Sequence, residues 1–179
     1  DADAALRHAG VALLAVPTQS LRAITAALRA HVPDAAPVVI CAKGIERATM
    51  CLPSEILAET LPASPCAVLS GPNFAHELIS GLPAAAVLAT ADESLRARLL
   101  AALTIPRFRL YGSPDVIGVQ LGGAAKNVIA IAAGVVEGMG LGENARAALI
   151  TRGVAELARL VAAEGGRPET AAGLSGLGD

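Results

Sequence analysis

The sequence is poor in aromatic residues, in cysteine and in net charge. Only 2% of its 179 residues are aromatic, three are cysteine, and the formal net charge is −2. With few rings to stack on bases and no basic cluster, the composition argues against a nucleic-acid partner. Cys41, Cys51 and Cys66 have no metal-ligand spacing and no histidine pair nearby, so we interpret them as buried thiols of a reducing compartment. No metal site is expected.

Long apolar runs are also missing. Apolar residues make up 54% of the chain, but small residues supply much of this apolar character, and no run approaches the ~18 residues that cross a bilayer. The chain has no signal peptide and no initiator Met, and it begins in mid-pattern at Asp1. We therefore expect part of a longer cytoplasmic protein that does not insert into a membrane.

Lysine is the scarcest charged residue. Of fourteen basic residues, only Lys43 and Lys126 are lysine. Lys126 lies in the apolar run Leu121–Gly134 beside Gly122 and Gly123, with no carboxylate within one helical turn. Arginine keeps its proton at any usable pH, whereas a desolvated lysine can exchange one. Lys126 therefore needs a distant partner or a ligand, unless it reaches the surface along its own side chain.

The hydrophobic pattern changes once along the chain. Up to residue 113, short apolar runs alternate with helical patterns, which is typical of an α/β domain with a parallel sheet. After residue 114 only helical patterns remain. We predict a dinucleotide-binding part over 1–113 and the start of an all-α part over 114–179. The expected strands are 11–16, 37–42, 66–70, 84–90 and 108–111.

Three predicted strands end in polar or glycine-bearing turns, namely Pro17–Ser20, Lys43–Gly44 and Ser70–Asn73. Ligands of parallel sheets bind outside the carboxyl ends of the strands, so the turns predict one shared site. Helix capping is the alternative explanation for such residues. The final Gly-Leu-Gly-Asp179 offers a carboxylate to Lys126, although the same pattern is also typical of a helix end.

Five segments together carry a resemblance to a known family. They occur in order and at matching spacing: Lys43–Glu46, Ser70–Ala75, Gly118–Ala132, Asn144–Gly153 and Gly176–Asp179. In this combination the chain resembles the bacterial-type NAD(P)-dependent glycerol-3-phosphate dehydrogenases over essentially its whole length. The resemblance implies a Rossmann-type domain followed by a helical domain, with the active site between them.

The resemblance also implies a reaction and its residues. The family interconverts sn-glycerol 3-phosphate and dihydroxyacetone phosphate by hydride transfer with NAD or NADP and no metal, and it supplies glycerol 3-phosphate for phospholipid synthesis. Its catalytic lysine corresponds to Lys126. Its other substrate contacts correspond to Lys43, Gly71, Asn73, Asn127 and Asp179. Its cofactor contacts correspond to Lys43 and Ala75, with Pro17 and Ser20 near the nucleotide.

Two family segments have no counterpart in this sequence: the Gly-x-Gly-x-x-Gly turn and the Ser-Arg-Asn segment that grips the substrate phosphate. We therefore expect a central fragment that is inactive alone. The choice between NAD and NADP and the oligomeric state stay open, and a homodimer is compatible with the residues. The alternatives are a related dehydrogenase, such as a 3-hydroxyacyl-CoA or 6-phosphogluconate enzyme, and a catalytically silent α/β interaction module.

Overall fold

The computed structural model describes residues 2–33 and 35–179 and contains one five-stranded sheet followed by helices. The predicted fold class is confirmed. The strands are β1 Ala12–Leu14, β2 Val38–Ile40, β3 Cys66–Ser70, β4 Ala84–Ala89 and β5 Phe108–Ser113. The helices are α1 Ala2–Leu6, α2 Thr18–Leu28, α3 Pro53–Thr60, α4 Ala75–Ile79, α5 Glu93–Leu103, α6 Val116–Gly138 and α7 Gly142–Ala163, with a 3₁₀ helix over Pro168–Ala172.

The strands lie side by side in the order β1-β2-β3-β4-β5. As predicted, β1, β2 and β3 are mutually parallel. Their buried residues pack with α2 and α3 into one core, which includes Leu21, Ile40, Ile56 and Val68. The three turns that follow these strands therefore open at the same edge of the sheet.

One pairing departs from the expected parallel order, because β4 runs antiparallel to β3. The chain between them contains only the five-residue helix α4. A helix of that size is about 7 Å long, which is too short to return along β3 to its starting end. The chain therefore re-enters the sheet at the end where it left. The strand β5 then pairs parallel to β4 across a full α5 crossover.

Helix α6 is buried over only part of its length. Residues Gly118–Gly123 are buried, but Val128, Ile131 and Val135 are exposed. Small and aliphatic residues on all sides of a helix predict burial on all sides, and this prediction is wrong for most of the second half, where α7 packs on one side. The exposed apolar residues Val128 and Ile131 of α6 and Leu160 of α7 lie in this part of the structure.

Helix α6 also overturns the expectation that the chain contains no segment long and apolar enough to cross a bilayer. At 23 residues it is long and apolar enough to cross a bilayer by length and composition, although no such segment was expected. A single helix of this kind is weak evidence of a membrane span, because core helices pass the same test. In this structure the helix carries Lys126, and its first half packs against the sheet.

The three cysteines are free and half-buried among the residues described. Burial raises the pKa of the Cys66 thiol to about 12. Burial also raises the pKa of Cys41, although nearby Lys43 acts in the opposite direction. These surroundings agree with structural thiols.

Cys66 should react slowly with alkylating agents in the folded protein. A thiol of pKa about 12 is only roughly one part in 10⁴ thiolate at pH 8, and the thiolate is the reactive form. Iodoacetamide labelling followed by peptide mass spectrometry should show Cys66 modified at least ~100-fold more slowly in native protein than in guanidinium chloride. Equal rates in the two conditions would show that burial does not protect this thiol.

Candidate active site

The first component of the site is Lys43, which follows β2 directly. The neighbouring Gly44 has φ +142°, and a Cβ at this position would come within 3.0 Å of Thr18 Oγ1. Only glycine combines that backbone conformation with such close approach to the turn after β1. The turns after β1 and β2 therefore pack directly on each other. Lys43 lies in the second of these turns, next to the turn after β3.

Lys43 joins the second turn to the third. Its Nζ donates to the carbonyl oxygen of Gly71 at 3.0 Å. The predicted convergence of these two turns is therefore confirmed. The same Nζ lies 2.5 Å from Asp179 Oδ2, at the other end of the chain. A residue of the sheet edge thus contacts the last residue of the helical part.

Lys126 binds the other oxygen of the same carboxylate. Its Nζ lies 2.5 Å from Asp179 Oδ1 and 3.3 Å from the main-chain oxygen of Asp179. The distant partner expected for Lys126 is therefore Asp179. We name this arrangement the lysine–aspartate bridge, which consists of Lys43, Asp179 and Lys126. The carboxylate is 2% exposed, while the side chains of Lys43 and Lys126 are 25% and 13% exposed.

The glycines of α6 allow the helix to reach the sheet edge. A Cβ on Gly123 would lie 2.6 Å from Ser70 Oγ, and one on Gly122 would lie 3.0 Å from Ser175 Oγ. Any larger side chain would push α6 away from β3 or from the segment that carries Asp179. The small residues next to Lys126 therefore set how closely its ammonium approaches Lys43.

Asp115 holds the final segment of the chain against α6. This buried carboxylate caps α6 through the N–H of Gly118 at 2.9 Å. Its other oxygen accepts from the N–H of Arg167 at 3.0 Å and from Thr170 Oγ1 at 2.6 Å. These bonds fix the start of the segment that ends at Asp179, so Asp115 helps to bring the carboxylate to both lysines.

A second set of bonds holds the loop that follows Lys43. Gln19 donates through Nε2 to the carbonyl of Ile45 at 2.8 Å and accepts from the N–H of Arg47 at 3.1 Å. Arg22 donates to both carboxylate oxygens of buried Glu46, at 3.0 Å each. The loop after the lysine is therefore clamped to α2 by directional polar contacts.

The clamp shifts the acidity of Glu46. Hydrogen bonds from Arg22, and then from Thr49, hold the pKa of the Glu46 carboxyl below its usual range. Arg22 also contacts the exposed carboxylate of Glu59. A carboxyl whose pKa is lower in the folded state stabilises the fold above its unfolded pKa, and this contribution is lost as the pH falls through the folded value.

Replacement of Glu46 by Gln should therefore matter most near neutral pH. The variant should melt at a lower temperature than wild type at pH 7, because it loses the ionic bonds to Arg22. The difference should shrink as the pH falls below about 4.3, the value for an unfolded chain, and should disappear once the pH falls through the lower folded value. Thermal melts between pH 7 and 3 measure this change. Glu59→Gln is the matched control and should show a smaller difference, because Glu59 is exposed; a pH-independent gap for Glu46→Gln would contradict the account.

The other predicted residues make no side-chain hydrogen bond to the bridge in the described structure, although the N–H of Ser20 donates to the carbonyl of Pro17 at 2.9 Å. Asn127 is exposed directly after Lys126 in α6, and Asn73 is half-buried in the third turn. Pro17 and Ala75 are exposed and Ser20 is half-buried, at the starts of α2 and α4. Their assignments to substrate or cofactor stay predictions.

Sequence reasoning missed several residues that position the site. Gln19 was noted only as part of a turn, and Asp115 and Gln120 were not singled out. Gln120 had a usable signal, because an uncharged polar residue in an otherwise apolar helix requires a partner. The partners of Gln19 lie 26 and 28 residues away, and the partners of Asp115 outside α6 lie 52 and 55 residues away, so spacing alone does not reveal them.

The surroundings of the bridge contain open volume and unused polar atoms. A cavity of about 190 Å³ lies beside Lys126 and Asp179, between α6, α7 and the last residues of the chain. A larger cavity of about 550 Å³ lies against β4 and β5 and contains none of the bridge residues. The buried hydroxyls of Thr18, Ser70 and Ser175 have no hydrogen-bond partner among the residues that the structure describes. Within residues 2–33 and 35–179 no three His, Cys, Asp or Glu side chains form a metal-binding group.

Two sequence models of one family match the chain. Residues 1–96 match the NAD-dependent glycerol-3-phosphate dehydrogenase N-terminus. Residues 115–179 match the NAD-dependent glycerol-3-phosphate dehydrogenase C-terminus. The two matches follow each other in the order that the family requires.

Individual relatives agree with this result. A Gluconobacter oxydans protein named glycerol-3-phosphate dehydrogenase, NAD(P)+, is 58% identical over 173 residues, which cover 97% of this chain and 53% of the relative. A protein of the same name from Paramagnetospirillum magneticum is 56% identical over 178 residues, covering 99% of this chain and 64% of the relative. The chain thus spans between about half and two thirds of the length of these relatives.

Solved structures resemble the chain over its full length. The crystal structure of a Coxiella burnetii glycerol-3-phosphate dehydrogenase has a TM-score of 0.92 at 39% identity, covering 100% of this chain and 55% of that one. A yeast (Saccharomyces cerevisiae) glycerol-3-phosphate dehydrogenase has a TM-score of 0.89 at 29% identity, covering 99% of this chain and 54% of that one.

Proposed function

The chain belongs to the NAD-dependent glycerol-3-phosphate dehydrogenase family, and we propose on this premise that it carries the catalytic centre of such an enzyme. The proposed reaction interconverts sn-glycerol 3-phosphate and dihydroxyacetone phosphate with NAD or NADP. The observation that carries the proposal is the lysine–aspartate bridge, because it brings one ammonium group from the sheet edge and one from α6 to a single buried carboxylate. The family membership favours this reaction over that of a hydroxyacyl-CoA or 6-phosphogluconate enzyme.

The charges of the bridge suit a small anionic substrate. Two ammonium groups and one carboxylate leave one net positive charge in a partly buried place. Lysine is a common ligand of phosphate, and Lys43 retains exposed surface through which a ligand can reach it. We assign Lys43, Lys126 and Asp179 to substrate contact, together with Gly71, Asn73 and Asn127 as the resemblance implies.

Lys126 is the proposed acid–base group. Oxidation of a secondary alcohol removes a proton from the hydroxyl oxygen as hydride leaves the carbon. A neutral lysine amine positioned on that oxygen accepts the proton. In the reverse direction the Lys126 ammonium, which Asp179 holds in the structure, donates its proton to the carbonyl oxygen of the ketone. The paired form therefore represents the acid that ketone reduction requires.

The edge of the sheet fits a dinucleotide. Three parallel strands end there in adjacent turns, and the buried Thr18 hydroxyl in the first turn has no partner within the described part of the chain. We assign Pro17, Ser20, Lys43 and Ala75 to cofactor contact. The nicotinamide supplies or accepts the hydride when bound. The side chains of the bridge orient the substrate and move its proton.

The wider setting follows from the same premise. We assign residues 1–113 to the dinucleotide-binding domain and 114–179 to the helical domain. We also propose a cytoplasmic enzyme that supplies glycerol 3-phosphate for phospholipid synthesis, takes a small phosphorylated substrate, and neither binds nucleic acid nor inserts into a membrane. A homodimer fits this setting.

A grafted enzyme tests the proposal. In this protein, the 179 residues replace the matching segment of the Gluconobacter oxydans relative, to which they are 58% identical over 173 residues. We expect reduction of dihydroxyacetone phosphate with NADH or NADPH, followed by absorbance at the nicotinamide band. The 179-residue chain expressed alone should be inactive and should bind NADH weakly, because it lacks the glycine turn that places pyrophosphate on a helix N-terminus.

The controls separate activity of the chain from activity of the host segments. The grafted enzyme with Lys126→Ala should be inactive, whereas Glu143→Gln, at an exposed position of α7, should be as active as the graft. A folded graft that reduces neither dihydroxyacetone phosphate nor a related ketone would support the silent-module alternative and overturn the proposed function.

A further inference from the structure

The structure draws attention to Gln120 in α6. Between Val116 and Lys126 it is the one uncharged polar side chain of the helix, and it is 4% exposed. A buried amide without partners is strongly destabilising. Its bonds therefore show what the helix requires at this position.

All of the Gln120 amide bonds are directional, and two of them leave the helix. The Oε1 atom accepts from the N–H of Ser54 at 2.9 Å. The Nε2 group donates to Ser54 Oγ at 2.8 Å and to the carbonyl of Val116, in the preceding turn of α6, at 3.2 Å. The amide thus contacts both the backbone and the side chain of a single distant residue.

Ser54 lies at the start of α3, where helical N–H groups have no partner within the helix. Pro53 occupies the first helical position, and the residue before it provides no side-chain cap. Gln120 supplies the acceptor that the Ser54 N–H needs. Because α3 packs into the core of the sheet, this bond ties α6 to the part of the chain that carries Lys43.

The hydrogen bonds between Gln120 and Ser54 lie close to the lysine–aspartate bridge along the chain. Gln120 precedes Lys126 by six residues of one continuous helix, which is about 9 Å along its axis. The contact of Gly123 with Ser70 sets how deeply the helix packs. A glycine contact is not directional, however, and it leaves the helix free to slide or rotate. The Gln120 amide restricts both movements, because its bonds require one position of α6 relative to α3.

We propose that Gln120 is a positioning residue that sets the place of Lys126 relative to Lys43 and Asp179 and thereby controls the rate of proton transfer. This inference rests on the proposed function. A displacement of about 1 Å at a catalytic group can reduce the rate ~10²-fold. The inference therefore predicts an effect on kcat that exceeds any effect on cofactor binding.

The test compares two variants of the grafted enzyme. Gln120→Leu keeps the size of the side chain and removes all three bonds. It should lower kcat roughly 10–100-fold and leave the Kd for NADH within about twofold, because the proposed cofactor contacts lie at the sheet edge. Gln120→Glu retains acceptors for the Ser54 N–H and hydroxyl, and it should recover most of the lost kcat.

Thr60→Val is the matched control for stability. It removes the buried bond from Thr60 Oγ1 to Thr25 Oγ1, at 2.8 Å, which joins α3 to α2 without touching α6. This variant should melt at a lower temperature with an unchanged kcat. A similar loss of kcat in Thr60→Val and Gln120→Leu would mean that general loosening of α3 explains both, and it would overturn the proposal.

Ser54→Ala keeps the test decisive if Gln120→Leu does not fold. It removes only the bond to Ser54 Oγ and should lower kcat roughly threefold without changing the Kd for NADH. An unchanged kcat in Ser54→Ala, or in a folded Gln120→Leu, would overturn the positioning role. An inactive wild-type graft would instead count against the proposed function, so the two failures are distinguishable.

Discussion

Lys126→Arg in the grafted enzyme should reduce kcat by roughly 10²–10⁴, the usual contribution of a positioned acid–base group. Arginine keeps the positive charge and most of the length, so an electrostatic or structural role would largely survive. Proton transfer would not survive, because the guanidinium keeps its proton at all usable pH values. Steady-state kinetics of dihydroxyacetone phosphate reduction measure the change, and the Kd for NADH should stay nearly constant.

Chemical rescue distinguishes proton transfer from packing at this position. Lys126→Ala leaves space beside the carboxylate of Asp179, next to a cavity of about 190 Å³. Small primary amines added to this variant should restore activity in proportion to their concentration, whereas the same amines should not activate Lys126→Arg. A Lys126→Arg enzyme with near-normal kcat and an unchanged pH profile would move the acid–base role to Lys43.

Asp179→Asn should reduce kcat roughly 10²-fold, the expected effect of a catalytic group displaced by about 1 Å. The amide keeps the shape of the side chain but removes the charge that binds both ammonium groups at 2.5 Å. The two lysines then repel each other, and Lys126 loses its orientation. Substrate KM should change less than kcat, because the two cations that attract the phosphate remain.

Glu143→Gln is the matched control, since it makes the same chemical change at an exposed carboxylate that pairs with Arg146 on the same helix. Both variants should be assayed with the same substrate and checked for folding by circular dichroism. If Asp179→Asn kept the kcat of the graft, the buried carboxylate would have no part in catalysis, and the bridge would be a structural ion pair.

Local patterns were enough to predict the elements and the class of fold. Continuous apolar runs indicated the first four strands, because strands that are buried on both faces need continuous aliphatic residues, and the alternation of side chains indicated the fifth. The loss of such runs after Ser113 indicated the change to helices. The predicted strands 11–16 and 37–42 were longer than the observed ones, since hydrogen-bonded pairing stops before the apolar character does.

Local patterns also identified the lysines of the site. An ammonium in an apolar helix beside glycines is costly unless something pairs with it, and this physical requirement is visible in the residues alone. The sequence could not decide that Asp179 is the partner of Lys126, because Gly-Leu-Gly-Asp179 fits a helix end equally well. The contact between Lys126 and Asp179 spans 53 residues, and no spacing rule covers that distance.

Tertiary structure decided the remaining features. The antiparallel entry of β4 depends on how far the short helix α4 reaches. The partial exposure of α6 depends on which elements pack against it. The clamps made by Gln19, Asp115 and Gln120 depend on side chains that meet residues 26 to 66 positions away. Chemistry and periodicity are local properties of a chain, so its residues reveal them directly; the pairing of distant polar groups follows from packing and becomes known only when the chain is folded.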